Sequence, residues 1–343
     1  MKAFYLHGAE DMRETQTQMP DIDADQVLVK VKACGICGSD VHYYVHGRNG
    51  DFVPQRPFIL GHEFAGEIAD AGAYGDTLPV GSRVAIDPSH PCRNCDYCLT
   101  GAYNLCRNMR YFGSASTLPH MDGSFREYIP VRAQSCHLIP AAMGFREAAL
   151  LEPLAVALQA IKRAGNVAGK RVLICGAGPI GQLTGLVARH YGAERLAVSD
   201  LRQTALNTAV ALWADIPVRA DADEQMEAAW KSCNGFDVVI EASGAAAALK
   251  TAYERCRPAG VIVQLGIQVE PPNLPVNLVL QKELTIRGSF RFAHVFDKAL
   301  DLLAGHKLKV QPLISQSCEF ADLLAGLEAA QGPESIKVVI DYQ

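Results

Sequence analysis

The segment that most constrains the fold begins at Lys170, where short apolar runs alternate with helical stretches. Residues 171–175 form an apolar run of strand length, followed by a glycine turn and a helical pattern over 180–191. The same alternation continues, with strands predicted at 195–200, 237–241 and 260–265 and helices at 203–214 and 245–256. Strands with helices between them are typical of a doubly wound parallel sheet. We therefore predict an α/β fold for this part of the chain.

The turn after the first of these strands reads Gly-Ala-Gly-Pro-Ile-Gly. In such a turn the first glycine allows a tight bend, the second lets a pyrophosphate approach, and the third lets helix and strand pack closely. The helix N-terminus adds N–H donors and positive potential. The candidate cofactor-binding residues are Gly176, Gly178, Pro179, Ile180 and Gly181. The motif alone is also compatible with a turn that binds no nucleotide.

An acidic residue at the end of the next strand strengthens the nucleotide interpretation. Asp200 lies 19 residues after Gly181, where a carboxylate binds the ribose hydroxyls of NAD. Arg202 lies close to it and can accept the 2′-phosphate of NADP instead. We predict NAD as the cofactor and leave NADP open.

A cysteine-rich segment carries metal-ligand chemistry. Cys92, Cys95, Cys98 and Cys106 have the spacing C-x2-C-x2-C-x7-C. Four thiolates this close can surround one Zn²⁺ ion with no open position, so we predict a structural zinc site. An iron–sulfur cluster competes with this interpretation, but the usual short last gap and following proline are absent. The polar loop composition disfavours ordinary core cysteines.

A second candidate metal site combines Cys37, His62 and Glu63, with Glu152 further along the chain. A thiolate, an imidazole and a carboxylate suit a catalytic Zn²⁺ ion that keeps one position open. Alternatives remain: Cys34 and Cys37 as a redox pair, His62 as a core histidine, and Glu152 as a charge at a helix N-terminus. We predict Cys37, His62 and Glu63 as direct ligands, with Glu152 at or just beyond bonding distance.

The remaining segments predict a β-rich first domain, either an irregular barrel or a sandwich, with Gly and Pro between its strands. Further strands are predicted at 26–33, 64–69, 83–86, 125–129 and 337–341, and helices at 145–164 and near 295–304.

Composition and charge argue against several partner classes. The 343 residues include 32 basic and 37 acidic ones, and the net charge of −5 disfavours nucleic acid and anionic membranes, which attract basic surfaces. No signal-peptide pattern and no uninterrupted apolar run of about 18 residues is present. Eleven cysteines without an export signal predict a cytoplasmic protein whose thiols bind metal.

Taken in order, Gly61-His62-Glu63-x-x-Gly66, the four-cysteine segment and the glycine turn resemble the zinc-dependent medium-chain alcohol and polyol dehydrogenases. The resemblance covers essentially the whole chain and implies two zinc ions, one catalytic and one structural. It implies a GroES-like catalytic domain at 1–152 with its structural-zinc lobe at 91–107, a Rossmann NAD(P)-binding domain at 153–288, and a return segment at 289–343 that packs on the catalytic domain.

Particular segments favour one branch of this family. Glu152 stands where simple alcohol dehydrogenases of the family carry a zinc-binding cysteine, which places the chain nearer the polyol and threonine dehydrogenases. Residues 111–115, 119–123 and 288–292 resemble enzymes that oxidise L-idonate to 5-keto-D-gluconate. The expected substrate is therefore a sugar acid. Alternatives are a sorbitol- or xylitol-type dehydrogenase, a threonine dehydrogenase, and a zinc-stabilised nucleotide-binding protein without turnover.

The resemblance also implies a proton relay. Ser39 and His42 pass the substrate proton through the nicotinamide ribose hydroxyl to solvent, with His42 as the terminal base. A helix N-cap is the alternative for Ser39, and a solvated surface imidazole is the alternative for His42.

For a sugar-acid carboxylate, Arg291 is the first candidate partner, because arginine binds carboxylates through a bidentate fork. Tyr43, His120 and Phe112 are further substrate candidates. The alternative for Arg291 is a structural ion pair or a hydrogen-bond donor to a polyol hydroxyl. Family members are commonly dimers or tetramers that associate through the edge of the nucleotide-domain sheet. We therefore expect a homo-oligomer with contacts near residues 261–280.

Overall fold

The structure is a computed structural model that describes residues 1–268 and 273–343, and these residues divide into two units. Unit 1 consists of Met1–Glu152, Phe296–Ala304 and Ile314–Gln343, and unit 2 consists of Pro153–Val295 and Gly305–Leu313.

The predicted return segment at 289–343 is divided between the two units. Residues 289–295 and 305–313 group with unit 2, and the remainder of the tail groups with unit 1. Part of the reason is local, because Lys162 of unit 2 donates a 3.4 Å hydrogen bond to the carbonyl oxygen of Ala293. This division corrects the expectation that the whole tail packs on the catalytic domain.

The strands of the described residues are β1 (Lys2–Gly8), β2 (Asp11–Gln16), β3 (Gln26–Gly35), β4 (Phe58–Ile59), β5 (Glu63–Asp70), β6 (Arg83–Ile86), β7 (Ser89–His90), β8 (Arg110–Tyr111), β9 (Tyr128–Arg132), β10 (Cys136–Leu138), β11 (Arg171–Cys175), β12 (Arg195–Asp200), β13 (Ile216–Arg219), β14 (Phe236–Glu241), β15 (Cys256–Gln264), β16 (Thr285–Gly288), β17 (Ile314–Glu319) and β18 (Lys337–Asp341).

The α-helices of the same residues are α1 (Gly38–His46), α2 (Asp96–Leu99), α3 (Phe145–Ala148), α4 (Leu151–Ala164), α5 (Pro179–His190), α6 (Gln203–Leu212), α7 (Asp223–Ser232), α8 (Ala246–Arg255), α9 (Val276–Lys282), α10 (Phe296–Ala304) and α11 (Leu323–Ala330). None of them is both long enough and apolar enough to cross a membrane.

Unit 2 contains a six-stranded sheet in the order β13-β12-β11-β14-β15-β16, and every neighbouring pair is parallel. This order belongs to doubly wound dinucleotide-binding folds and confirms the predicted α/β class. The order reverses between β11 and β14. Open sheets of this type bind ligands at that switch point, outside the carboxyl ends of the strands.

The main sheet of unit 1 has the order β10-β6-β5-β3-β18-β17, with β9 also paired to β3. The last residue of β3, Gly35, pairs with Glu63 of β5 on one side and with Val339 of β18 on the other. The end of β3 therefore meets the start of β5 beside the first residues of β18. A separate small sheet has the order β2-β1-β4.

Each unit has its own hydrophobic core. Phe64 and Phe125 are fully buried in the core of unit 1, and Phe236 and Val239 are fully buried in a core of unit 2. These side chains come from strands or from the segments beside them, so burial of apolar area stabilises both sheets.

Two differences from the predicted elements have simple causes. The single helix predicted at 145–164 is two helices, α3 and α4, because Pro153 lacks an N–H group and is accommodated in the first turn of α4. The strand β13 was not predicted, because Pro217 interrupts its pattern. It lies at the edge of the sheet, where a proline is tolerated.

Candidate functional site

Three ligand-type side chains converge where β3 ends. Cys37 lies just beyond β3, His62 immediately precedes β5, and Glu63 begins that strand. One sulfur, nitrogen or oxygen ligand atom from each lies within 4.8 Å of the other two. His62 and Glu63 are buried, and Cys37 is half-buried. The fold thus brings together the three side chains that the sequence analysis singled out.

A buried carboxylate on α1 connects this group. Oδ2 of Asp40 accepts a 2.9 Å hydrogen bond from the N–H of Cys37, and Oδ1 accepts a 3.2 Å hydrogen bond from the N–H of Gly61. Oδ1 also lies 3.7 Å from Nδ1 of His62. Burial alone would lower the pKa of His62, but Asp40, Cys37 and Glu152 raise it to about 10. Asp40 therefore joins the two ligand-bearing segments and adds negative potential that attracts a cation.

Glu63 forms a buried ion pair with Lys337, the first residue of β18. Both side chains are almost completely buried, and Nζ of Lys337 also donates a 2.8 Å hydrogen bond to the carbonyl oxygen of Ile36. Burial opposes the charge of the lysine, yet Glu63 raises the pKa of Lys337. The lysine therefore places a positive charge directly beside the Glu63 carboxylate in the protein interior, and the two groups compensate each other's burial.

Glu152 lies beside the three-residue group without belonging to it. The hydroxyl of Tyr111 donates a 2.6 Å hydrogen bond to Oε1 of Glu152. The Tyr111 ring also packs edge-on against His62, with 5.8 Å between the ring centres. Burial raises the pKa of Glu152 to about 7, with His62 acting in the opposite direction and Glu63 adding to the increase. Glu152 is thus coupled to the site by charge and positioned by Tyr111.

The donor set fits Zn²⁺, because one sulfur, one nitrogen and one oxygen ligand leave a fourth tetrahedral position open. The redox-pair alternative for Cys34 and Cys37 loses support. The Cys34 thiol is fully buried and contacts Oγ of Ser124 at 3.1 Å. Burial raises the pKa of Cys34 well above its usual range, which disfavours the thiolate that exchange chemistry needs.

The four-cysteine segment forms a separate group within one loop. Sulfur atoms of Cys92, Cys95, Cys98 and Cys106 lie within 4.8 Å of one another. A hydrogen bond from the backbone N–H of Asn94 lowers the pKa of Cys92 to about 6, which favours the thiolate. Four sulfurs at these distances fit Zn²⁺ in a closed tetrahedral site.

The predicted relay residues lie in α1. This helix begins at Gly38 with Cys37 as its N-cap, so the N-cap alternative for Ser39 does not apply. Ser39 and His42 are both half-buried. Burial, followed by the charge of His46, lowers the pKa of His42. His42 is therefore neutral near pH 7 and can accept a proton.

The glycine turn has the geometry that its motif requires. Gly176 has a φ of 102°, which side chains rarely adopt. A Cβ atom at Gly178 would meet only Nη2 of Arg202, at 3.9 Å, whereas one at Gly181 would collide with the carbonyl oxygen of Gly176. Because α5 begins at Pro179, its unpaired N–H groups face this open backbone. The turn therefore fits a dinucleotide pyrophosphate.

Asp200 is already engaged by backbone groups. Its Oδ2 accepts a 2.7 Å hydrogen bond from the N–H of Ala177, and its Oδ1 accepts a 2.8 Å hydrogen bond from the N–H of Arg202. Nε of Arg202 lies 3.4 Å from the same carboxylate. The guanidinium offsets the negative charge that would repel a 2′-phosphate, so the site is compatible with both NAD and NADP.

Three predicted substrate residues have packing roles within unit 1. Tyr43 and Phe112 belong to the hydrophobic core, and the Tyr43 hydroxyl accepts a 3.0 Å hydrogen bond from a backbone N–H. His120 is buried; its Nε2 accepts a 2.8 Å hydrogen bond from the N–H of Gln55, and its Nδ1 lies 2.8 Å from the carbonyl oxygen of Thr117. The fold therefore uses the polar atoms of Tyr43 and His120 and packs the ring of Phe112 in the core, and contact of these three residues with substrate stays a prediction.

Arg291 stays a substrate candidate. It is half-buried in unit 2, has a φ of 50°, and places its guanidinium carbon 5.0 Å from the ring centre of Phe290. Residues other than glycine seldom adopt this backbone conformation, and such strained positions cluster at functional sites.

Sequence reasoning missed the supporting residues Asp40, Tyr111 and Lys337. The sequence did contain a signal for Asp40. An acidic side chain at the third position of a helix often accepts a hydrogen bond from the backbone N–H of the residue just before the helix. No local signal connects Lys337 with Glu63, since only the pairing of β3 with both neighbouring strands brings them together.

Known families match most of the chain. Residues 23–141 match the family described as "Alcohol dehydrogenase GroES-like domain", and residues 179–305 match "Zinc-binding dehydrogenase". The chain is 38% identical to a probable D-xylulose reductase A of Aspergillus clavatus, covering 98% of this chain and 96% of the relative. It is 34% identical to a sorbitol dehydrogenase of Gallus gallus, with coverage of 98% and 95%. It is 38% identical to an L-idonate 5-dehydrogenase (NAD(P)(+)) of Escherichia coli K12, with coverage of 91% and 90%.

Solved structures show the same fold. The crystal structure of L-idonate 5-dehydrogenase from Escherichia coli K-12 matches with a TM-score of 0.93 at 36% identity, covering 99% of this chain and 97% of the other. A putative zinc-binding dehydrogenase from Sinorhizobium meliloti bound to NADP matches with a TM-score of 0.91 at 32% identity, covering 99% and 98%.

Proposed function

Because the chain belongs to the zinc-binding medium-chain dehydrogenases, and is an NAD(P)-dependent enzyme of their polyol and sugar-acid branch, we propose that it oxidises L-idonate to 5-keto-D-gluconate. The observation that carries the proposal is the convergence of Cys37, His62 and Glu63, in a chain 38% identical to an L-idonate 5-dehydrogenase. A sorbitol- or xylitol-type polyol dehydrogenase is the second candidate, favoured by the equal identity to D-xylulose reductase A.

Cys37, His62 and Glu63 would hold the catalytic zinc ion, which supplies a Lewis acid that lowers the pKa of the substrate hydroxyl. Lys337 offsets the charge of Glu63, so the protein balances part of the negative charge of the ligand set. Glu152 stays beside these ligands, held by the hydroxyl of Tyr111.

Cys92, Cys95, Cys98 and Cys106 would hold a second zinc ion with a structural role. Their four sulfurs leave no position for substrate. Removal of this ion should therefore affect the stability of the loop and leave the chemistry of the other site unchanged.

The glycine turn of unit 2 would bind NAD(P), whose nicotinamide accepts the hydride. Gly176, Gly178 and Gly181 leave the backbone open to the pyrophosphate, and Pro179 and Ile180 begin the helix whose N–H groups face it.

Asp200 and Arg202 are assigned to the adenosine ribose. We propose that the enzyme prefers NAD and also uses NADP, because Arg202 is paired with Asp200. Comparison of kcat/KM for the two cofactors tests this assignment, and a clear preference for NADP would contradict it.

Oxidation of an alcohol removes a hydride from carbon and a proton from oxygen, so the proton needs an acceptor. Ser39 and His42 are assigned to its transfer, with His42 as the terminal base. The lowered pKa of His42 supports this role, because the neutral imidazole is the form that accepts the proton.

The substrate assignment is tested with a panel of idonate, gluconate, sorbitol, xylitol and threonine, followed by NADH absorbance. We expect the highest kcat/KM for idonate and loss of activity when a chelator removes the metal. A higher kcat/KM for sorbitol or xylitol would replace the proposal with the second candidate.

Arg291 is assigned to the substrate carboxylate. Arg291→Leu should raise KM for idonate more than KM for sorbitol, because only idonate carries a carboxylate. Arg291→Lys, which keeps the charge, is the matched control and should have a smaller effect. Equal effects of Arg291→Leu on both substrates would contradict the assignment.

We also propose a homo-oligomer, a dimer or tetramer, that associates through the edge of the six-stranded sheet. β16 is the last strand of that sheet, and Ile286 on it is 44% exposed. Val276 and Leu280 of α9 are exposed as well, and residues 269–272 of the expected contact region lie outside the described residues. An open strand edge with exposed apolar side chains favours pairing of two copies. A monomer in light scattering at all concentrations would contradict this proposal.

A further inference from the structure

We propose that Glu241 is a positioning residue for the dinucleotide, because it holds together two loops at the carboxyl edge of the sheet, residues 242–245 after β14 and residues 264–268 at the end of β15. The inference rests on the proposed NAD(P) function. Glu241 ends β14, and β14 lies beside β11, whose glycine turn is the candidate pyrophosphate site.

The Glu241 carboxylate is completely buried and accepts hydrogen bonds from both loops. Oε1 accepts from the N–H of Ser243 at 2.8 Å, from its hydroxyl at 2.6 Å and from the N–H of Gly244 at 2.9 Å. Oε2 accepts from Nε2 of Gln264 at 2.8 Å and from Nε2 of Gln268 at 3.5 Å. None of the ion pairs among residues 1–268 and 273–343 includes Glu241. These donors therefore offset the cost of burying the charge.

The backbone of Glu241 reinforces the same connection. Its carbonyl oxygen accepts hydrogen bonds from the N–H groups of Leu265 and Gly266, both at 2.9 Å. A Cβ atom on Gly266 would collide with the N–H group of Gly244, so the two loops lie against each other without room for a side chain. Glu241 is thus the point at which both loops are fastened to the strand.

The fastened loops also contact the glycine turn. A Cβ atom on Gly176 would lie 2.9 Å from Cβ of Ser243 and 3.0 Å from its backbone nitrogen. The position of Gly176 therefore depends on the position of Ser243, which the Glu241 carboxylate holds through two hydrogen bonds. In folds of this strand order the dinucleotide extends along these carboxyl ends, so Glu241 acts on it through the loops without touching it.

A carboxylate suits this position better than an amide. It only accepts hydrogen bonds, and every group directed at Glu241 by Ser243, Gly244 and Gln264 is a donor. In Glu241→Gln, the new NH₂ group would face a donor and leave at least one buried polar group unsatisfied. The loops would then be ordered less well before the cofactor binds, and binding would have to order them.

The test is a fluorescence titration of NADH into the full-length, zinc-loaded protein, together with its melting temperature. Glu241→Gln should raise the Kd for NADH by about 10-fold, the effect of one unsatisfied buried donor. The KM of the cofactor should rise by a similar factor, whereas the KM of the alcohol should change less than about twofold. Ser243→Ala keeps the carboxylate, removes one donor, and should raise the Kd by a smaller factor.

Asp237→Asn is the matched control. Asp237 is a buried acid at the other end of β14 that pairs with Arg171 and Arg257. Its substitution should lower the melting temperature and leave the Kd for NADH unchanged.

The inference is overturned if Glu241→Gln lowers the melting temperature while its Kd for NADH stays within twofold of the wild-type value. If Glu241→Gln does not fold, an unchanged Kd in Ser243→Ala overturns it. A wild-type protein that binds neither NADH nor NADPH would overturn the proposed cofactor instead.

Discussion

The two candidate metal centres are built in opposite ways. All four sulfur ligands of one centre come from a single loop, between Cys92 and Cys106. The other centre takes ligands from the segments at the ends of two strands and depends on Asp40 and Lys337 from further elements. A closed set of four sulfurs can only hold a loop together, whereas three mixed ligands leave a position for chemistry. The way each centre is assembled therefore indicates whether it is structural or catalytic.

An ion pair at each centre shows the same contrast. Asp96 and Arg107 of the cysteine loop form an exposed pair at 2.7 Å, with more than half of each side chain accessible. Glu63 and Lys337 are both only 1% accessible. Exposed pairs are weakened by solvent, whereas removal of one partner of a buried pair leaves an uncompensated charge. Removal of one partner should therefore lower the free energy of unfolding more for the Glu63–Lys337 pair than for the Asp96–Arg107 pair.

The largest expected effect is the loss of activity in Cys37→Ala. The substitution removes one of the three ligands, so kcat should fall by about 10³-fold or more. Metal analysis should show one zinc ion per chain instead of two, because the cysteine loop keeps its own ion. A variant that loses both ions would contradict the independence of the two centres.

The complementary substitution, Cys98→Ala, should act on stability. The loop loses its ion, and the free energy of unfolding should fall by several kcal/mol, on the order expected when metal binding is coupled to folding. The kcat of the remaining folded protein should stay within about twofold of wild type. Cys136→Ala, a free cysteine outside both ligand groups, is the control for loss of a thiol. A selective fall in kcat in Cys98→Ala would contradict the structural role.

Lys337→Met tests the buried ion pair. It should lower the free energy of unfolding by about 3–5 kcal/mol in chemical denaturation, because Glu63 stays buried without its cation. Lys337→Arg retains the charge and should be less destabilising. Arg107→Met removes the exposed pair and should leave the free energy of unfolding nearly unchanged. Equal effects of Lys337→Met and Arg107→Met would contradict the importance of burial.

The smallest expected effect is that of His42→Ala. Loss of the neutral base should reduce kcat for alcohol oxidation by about 10-fold near pH 7, and the reduction should shrink at higher pH as solvent accepts the proton. His46→Ala removes a charge that lowers the pKa of His42, so the acidic limb of the pH profile should shift to higher pH. A shift to lower pH would contradict the stated coupling between the two imidazoles.

Much of the fold could be predicted from local patterns. The predicted strands at 83–86, 171–175, 195–200 and 337–341 have the bounds of β6, β11, β12 and β18. Strand β13 was not predicted, because Pro217 interrupts its strand pattern. Helices α3 and α4 were predicted as one helix, because the apolar pattern continues across the break between them. In both cases sheet edges and helix starts tolerate proline in ways that a pattern alone does not show.

The sequence by itself determined the features whose parts are close along the chain. The cysteine loop and the glycine turn are of this kind, because short spacing limits where their atoms can lie. Only the tertiary structure decided which side chains support Glu63, and it gave His120 a packing role. Burial and hydrogen-bond partners depend on the pairing of strands that are distant in sequence, as when β3 brings Lys337 to the carboxylate of Glu63.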